Sequence, residues 1–261
     1  MSPQETTRWR RGKRWLLPAL LLAITIGAWQ LAASSGLLAN VLGVEDFLVP
    51  SPVEIASSLW GNRSLLAENA WVTLREILFG LACALAVGLL FAVLMHLSET
   101  VRFAAYPLIV ASQTIPIVVI APILLVWFGF GIGPKLVIVA LICFFPITVS
   151  GLDGLRSTDP GAIKLMRSLD ASRWQIFRRV EAPNALPSLF TGTKIAVVLA
   201  PIGAVFGEWV GGSSGLGHLI LTDNAQLEVA REFAAVVVLS AIALVLIGLL
   251  ALAERRVVTW R

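Results

Sequence analysis

Six apolar runs dominate the chain, separated by polar segments of very unequal length. They extend from Trp15 to Ala33, Ile77 to Met95, Tyr106 to Phe128, Leu136 to Gly151, Leu189 to Trp209 and Ala234 to Ala253. Crossing a bilayer takes about 20 mostly apolar helical residues, and all runs but the short fourth come close to that. Backbone groups in lipid have no water to bond with, so helices rather than open sheets are expected. The pattern predicts an all-α polytopic membrane protein with six transmembrane helices.

Two polar segments carry further signals. Between the first two runs, Ser51 is expected to cap a helix with Pro52 in its first turn. Its apolar positions Val53, Ile55, Ala56, Leu59 and Trp60 fit a helix on the membrane surface, either sealing the first span or facing substrate. The segment from Leu152 to Pro187 is far longer than a reversal of direction needs. Asp159-Pro160 opens one short helix, which puts Ile163, Met166 and Leu169 on one face beside Lys164 and Arg167. Ser172 opens a second, from Arg173 to Arg179, and Pro183 and Pro187 are expected to interrupt the helix before the fifth span. Short amphipathic helices of this kind suit a groove on another protein or a bed of anionic lipid headgroups.

Charge sets the expected orientation. Arg8, Arg10, Arg11, Lys13 and Arg14 precede the first run, and Arg102 lies between the second and third. Arg156, Lys164, Arg167, Arg173, Arg178 and Arg179 lie in the long segment, and Arg255, Arg256 and Arg261 follow the sixth run. The alternate segments hold fewer bases, interspersed with acids. Arg and Lys collect on the cytoplasmic side, so both termini and the long loop are expected in the cytoplasm. The first run is longer than a signal-peptide core and is expected to stay as an anchor. The expected division is a cytoplasmic tail over 1–14, a first helix and outer surface helix over 15–76, a membrane core over 77–253 with the loop 152–187, and a cytoplasmic tail over 254–261.

Composition narrows the function classes. The chain is 57% hydrophobic and 14% charged, too little polar surface for a soluble domain of 261 residues. Its net charge of +4 is sorted by loop and reflects topology, not nucleic-acid binding. Cys83 and Cys143 lie inside apolar runs without metal-ligand spacing, and His96 and His218 are far apart. No catalytic or metal site is expected. Neither Gly192-Thr193-Lys194 nor Gly133-Pro134-Lys135 makes a phosphate-binding loop, so any ATP-driven step needs another chain. Gln113, Thr114 and Pro116 break the polarity and helical continuity of the third run. They suit either a solute pathway or hydrogen bonds between helices. Lys194 is expected to snorkel and Glu208 to reach water, each without an intramembrane partner. The glycine-rich stretch Gly211–Gly217 is expected to form a tight re-entrant turn or outer gate.

From Phe47 onward the chain resembles the permease subunits of binding-protein-dependent ABC importers. Their loop signature reads Glu-Ala-Ala, three residues, Gly, about nine residues, Ile-x-Leu-Pro. Here Leu186-Pro187 stands at the matching distance, but Lys164-Leu165-Met166 replaces Glu-Ala-Ala and Asp170 replaces Gly. Aspartate tolerates a left-handed backbone, so the turn is expected to survive. Phe47–Val53, Ser112–Pro116, Ala121-Pro122, Trp127–Gly129, Phe144–Pro146 and Gly207-Glu208 resemble the nitrate, taurine, alkanesulfonate and thiamine-pyrimidine-precursor group, with Ile115–Pro122 and Cys143–Pro146 leaning to the last. The resemblance implies a MetI-like fold in the bacterial inner membrane and a subunit that imports a small organic solute. It implies a second permease copy, cytoplasmic ATPase subunits carrying ATP and Mg, and an extracytoplasmic binding protein. It implies ATPase coupling through Met166, Leu169, Asp170, Ala171, Ser172, Arg173, Trp174 and Phe177. A secondary transporter or channel working without an ATPase is the alternative.

Overall fold

The computed structural model describes residues 3–260, with side chains from residue 16 onward. The basic side chains of the N-terminal tail and Arg261, where a cytoplasmic charge cluster is expected, lie outside the described residues. Among the described residues there is no strand. The helices are α1 Pro3–Ser34, α2 Leu37–Leu42, α3 Pro52–Gly61, α4 Arg63–Leu97, α5 Glu99–Ser112, α6 Ile117–Phe128 and α7 Ile132–Arg156. They continue as α8 Pro160–Ser168, α9 Arg173–Ile176, α10 Ala182–Gly211, α11 Leu216–Gln226 and α12 Val229–Val257, with a π-helical turn Phe177–Glu181 leading into α10.

Among the described residues five helical segments are long and apolar enough to cross a membrane, and the bent pair α5 and α6 makes a sixth when counted as one span. This pair corrects the expectation of one helix from Tyr106 to Phe128: its halves meet at 101°. Pro116 lacks the N–H that would continue the helix, and Gln113 to Pro116 turn the chain instead. The fourth span is also longer than its apolar run, because α7 starts at Ile132 and ends at Arg156. Hydropathy alone shortened it: Lys135 and Asp153 are helical, and Lys135 is buried by a partner.

The core is the packing of α7 and α10 against α4. Ile77 and Ala84 of α4 meet Val139, Cys143 and Ile147 of α7 and Ala196, Ala200 and Ala204 of α10. Lipid tails are as apolar as leucine, so burying apolar surface drives helix association less than close fit does. The fit comes from small residues. Gly192, Ala196, Ala200 and Ala204 recur every fourth position and form one stripe down α10. A Cβ added at Gly192 would come within 2.4 Å of the Pro146 carbonyl oxygen on α7. The stripe lets the two backbones touch, and Cys143 Sγ donates to the Ala196 carbonyl at 3.3 Å across the seam.

The helix capped by Ser51 forms as expected. The Ser51 hydroxyl accepts from the Glu54 N–H, and the Glu54 carboxylate accepts from the Ser51 N–H at 2.7 Å. Its apolar positions divide: Ile55 is buried in a cluster with Leu66, Leu216, Leu219, Ala234 and Ala235, while Val53 and Trp60 are exposed. Helix α3 therefore closes one end of the bundle over α4, α11 and α12. Its Val53 N–H donates to Gln30 Oε1 of α1 at 3.0 Å, beside Trp29, which packs against this cluster and the Phe233 ring; from Leu16 to Ala28 α1 is exposed.

Gly192→Leu is expected to destabilise the fold by about 3 kcal/mol or more, the upper end for overpacking a filled core. Val245→Ala on the exposed face of α12 is expected to stay within about 0.5 kcal/mol of wild type. Thermal midpoints in detergent micelles compare the two; equal midpoints would show that the α7–α10 seam is loose.

Candidate functional site

Three polar arrangements interrupt the apolar body. One lies at the end of the bundle that carries α8 and α9, one at the opposite end, and one at the α5–α6 break.

The first is the segment between α7 and α10. Asp159 accepts from the Gly161 N–H at 2.9 Å and Pro160 fills the first turn, so α8 starts where its cap residue dictates. It ends in a Schellman motif. The Ala171 N–H donates to the Met166 carbonyl and the Asp170 N–H to the Arg167 carbonyl, both at 3.1 Å. Asp170 sits at φ 55°, the left-handed position that most often selects glycine. Ser172 then opens α9 with a capping box to Gln175. Three local devices thus fix a bend with no help from the core.

Within this segment the apolar residues divide. Met166, Ala171 and Phe177 are half-buried, as is Ile163. Leu169 and Trp174 are 70% and 65% exposed, and Leu165, which the pattern of one apolar face had not singled out, is 62% exposed. The expected face Ile163–Met166–Leu169 is therefore split: α8 stops at Ser168, and the cap turn swings Leu169 outward beside Leu165. Lys164, Arg167 and Arg173 are exposed around them.

Pro183 and Pro187 do not interrupt the helix. Arg173 to Gly211 is one continuous membrane-length helical segment. The π-helical turn Phe177–Glu181 widens the register just ahead of Pro183, so the ring meets no competing carbonyl and the missing N–H falls where the hydrogen-bond register changes anyway. Asn184, one residue later, donates to the Gly154 carbonyl, Ser157 Oγ and Thr158 Oγ1 at 3.2–3.3 Å, tying the start of α10 to the end of α7.

The second arrangement is a buried ionic network at the opposite end. Lys135 Nζ on α7 donates to Glu76 Oε1 on α4 at 2.7 Å, and both side chains are buried. Glu208 of α10, expected to reach water, is fully buried. It accepts from Thr73 Oγ1 of α4 at 2.6 Å and from the backbone N–H groups of Gly217 and His218. Thr73 also accepts from the Leu216 N–H at 2.8 Å, and Asn69 from the Gly215 N–H at 2.7 Å. The first amides of a helix have no partner within it. Those of α11 find theirs in side chains of α4 and α10, with a carboxylate at the positive end of the dipole. The glycine-rich stretch is thus a turn whose backbone amides are held by a carboxyl group of the chain itself. Gly215 adopts φ +111°, and a Cβ there would lie 2.1 Å from Glu208 Oε1.

Lys194 also has a partner, contrary to expectation: it pairs with Glu254 of α12. A half-buried ammonium inside a span is stabilised by a carboxylate from the neighbouring helix, which the linear sequence could not place beside it. At the α5–α6 break, Gln113, Thr114 and Pro116 are exposed, and the Thr114 and Ser112 hydroxyls turn back onto the Ala111 and Ile109 carbonyls at 2.8 and 2.7 Å. Among the described residues no three His, Cys, Asp or Glu converge as a metal site.

Membrane-length helices, an exposed capped segment between two of them and buried ion pairs define a multi-pass membrane protein. The profile described as "Binding-protein-dependent transport system inner membrane component" matches residues 84–259. A probable ABC transporter permease protein of Haemophilus influenzae is 38% identical over 89% of this chain and 93% of its own. The formylaminopyrimidine transport permease protein ThiX of Halalkalibacterium halodurans is 36% identical over 97% and 98%. The riboflavin transport system permease protein RibX of Chloroflexus aurantiacus is 36% identical over 97% and 94%. Among solved structures, the inward-facing MetNI methionine ABC transporter is similar in fold, with TM-score 0.62 and 22% identity over 76% of this chain and 96% of that one. The chain belongs to the inner-membrane permease family of binding-protein-dependent ABC importers. It is a multi-pass membrane protein and a transport subunit, not an enzyme; ATP hydrolysis in such importers resides on a separate chain.

Removing one partner of a buried pair leaves the other charge uncompensated, at a cost of about 3–5 kcal/mol. Lys135→Met is expected to cost that much, and Lys135→Met combined with Glu76→Met to recover most of it. Unfolding midpoints of the single and double variants in micelles check this; a double variant no better than the single would show that the pair contributes no electrostatic coupling.

Proposed function

We propose that the segment from Asp159 to Arg179 is the surface on which this permease receives the stroke of its ATPase. The observation that carries the reading is the exposure of Leu165, Leu169 and Trp174 on a bend fixed by three caps. Exposed large apolar groups on a rigid polar scaffold, rimmed by Lys164, Arg167 and Arg173, fit the anchor-and-rim anatomy of a protein interface. Met166, Asp170, Ala171, Ser172 and Phe177 hold that surface in shape. The charge bias of the loops supports a cytoplasmic position for this segment and for both termini. ATP and Mg act on the partner ATPase chains, and an extracytoplasmic binding protein delivers the solute at the opposite end.

The solute pathway runs along the α5–α6 break at Gln113, Thr114 and Pro116, completed by a second copy of the permease. The cargo is a small organic solute. The relatives named for formylaminopyrimidine and riboflavin support a heterocyclic vitamin or vitamin precursor. More distant relatives are named for aliphatic sulfonates and taurine. Selectivity then resides chiefly in the binding protein, since the described walls carry little charge to discriminate.

Leu169→Asp combined with Trp174→Asp is expected to abolish co-purification of the ATPase subunit while membrane insertion is kept. Pull-down from solubilised membranes measures the first, carbonate-resistant membrane retention the second. Undiminished ATPase recovery with the double variant would overturn the docking assignment.

A further inference from the structure

The helix α4 meets the π-helical turn at His96. His96, in the last turn of α4, places Nε2 2.8 Å from Glu181 Oε2, and both side chains are nearly buried. Glu181 is the last residue of the π turn, and Phe177 is the first. The His96 ring also lies against Phe177, with centroids 6.3 Å apart. Phe177 in turn stacks on Trp174 at 5.5 Å and 22°. A continuous line of contacts therefore runs from an exposed tryptophan on the docking surface, through Phe177, to a histidine on α4. The same α4 carries Asn69, Thr73 and Glu76, which hold the start of α11 and Lys135 at the far end.

We propose that His96 is a positioning residue of the transport cycle: it locks the π turn to α4, so that displacement of the docking surface moves α4 and, with it, the polar joint at the other end. The inference rests on the docking reading above. Two physical points favour a transmitting role over a filler. A π-helical turn sits between two helical registers and is a natural site for a change of register. A buried imidazole–carboxylate contact is directional, so it carries rotation as well as pressure, whereas an apolar contact at the same place would let the turn slide. Contiguity alone does not establish coupling; both ends must respond to one event.

The test uses the complete complex of permease and ATPase chains in nanodiscs, trapped with Mg-ATP and vanadate. Cys83 is replaced by Ser, and an environment-sensitive fluorophore is attached either at Ser168→Cys, beside the docking surface, or at Ser64→Cys, at the far end of α4. Trapping is expected to shift the emission of both probes. In His96→Ala the Ser64 probe is expected to lose at least about five-fold of its shift while the Ser168 probe and ATPase recovery stay intact. His96→Gln, whose amide can still donate to Glu181, is expected to restore much of it. A merely structural histidine would weaken both probes and the assembly together, and that result overturns the proposal. So does a Ser64 shift left whole in His96→Ala. A Ser168 probe silent in the unmutated complex would sink the docking reading, and the relay with it; a responsive Ser168 probe with an unchanged Ser64 shift sinks the relay alone.

Discussion

The rest of the structure depends on how closely α7 and α10 approach each other. Inside a bilayer there is little gain from hiding apolar surface, so two helices stay together only if their atoms fit. Gly192, Ala196, Ala200 and Ala204 supply that fit along four turns of α10. Once the two backbones touch, Asn184 of α10 reaches the end of α7 at one pole, and at the other Lys135 of α7 pairs with Glu76 of α4. A larger side chain at Gly192 would draw Asn184 away from the end of α7. The buried lysine depends on α4 packed against the other side of α7, because a lysine can be taken out of water only where a carboxylate is already held within reach.

Around that seam the molecule is stiff where it packs and shaped by local chemistry where it does not. The segment between α7 and α10 has few core contacts, yet Asp159, Asp170 and Ser172 hold its outline through hydrogen bonds to backbone groups two to five residues away. A partner that pushes on Leu169 or Trp174 meets a bend that keeps its form and hands the displacement to its root. The opposite pole is built differently. There α11 starts on side chains of other helices, so its position follows α4 and α10 instead of its own sequence.

Much of this was legible along the chain, and what was not has a common cause. Caps are local, so Ser51, Asp159 and Ser172 announced their helices, and Asp170 announced a left-handed turn in place of glycine. Five of the six spans followed from apolar length. Partners distant in sequence were not legible: Glu208 read as a residue bound for water because Thr73 and Gly217 lie on other elements, and Lys194 read as a snorkelling side chain because Glu254 is sixty positions away. Proline misled in both directions. Pro116 bends the third span by far more than a kink, while Pro183 sits just after a π turn that no local rule foretold and Pro187 lies inside the continuous helix α10. The four-residue repeat of small side chains on α10 was present in the sequence as Gly192–Ala204 and could have predicted the α7 seam.

The break between α5 and α6 bears on how many chains line the pathway. Helix α5 has 14 residues, a rise of about 21 Å at 1.5 Å per residue, so the chain turns well inside a hydrocarbon layer of about 30 Å. Non-helical backbone at such depth is tolerated where it is covered by protein or lines water, not where it faces lipid. The Ser112 and Thr114 hydroxyls go back to carbonyls of α5, and Pro116 has no N–H to satisfy, which lowers the demand for partners. Gln113 is different: its amide bonds Ser112 Oγ at 3.2 Å and keeps its other donor and its carbonyl exposed on the surface of this chain. An amide so placed inside a membrane calls for polar surroundings. In the pathway proposed above, a water-filled face shared with a second copy would supply them, whereas the same face turned to lipid would strand a polar side chain beside Ile115 and Val118 at the cost of an unpaired amide.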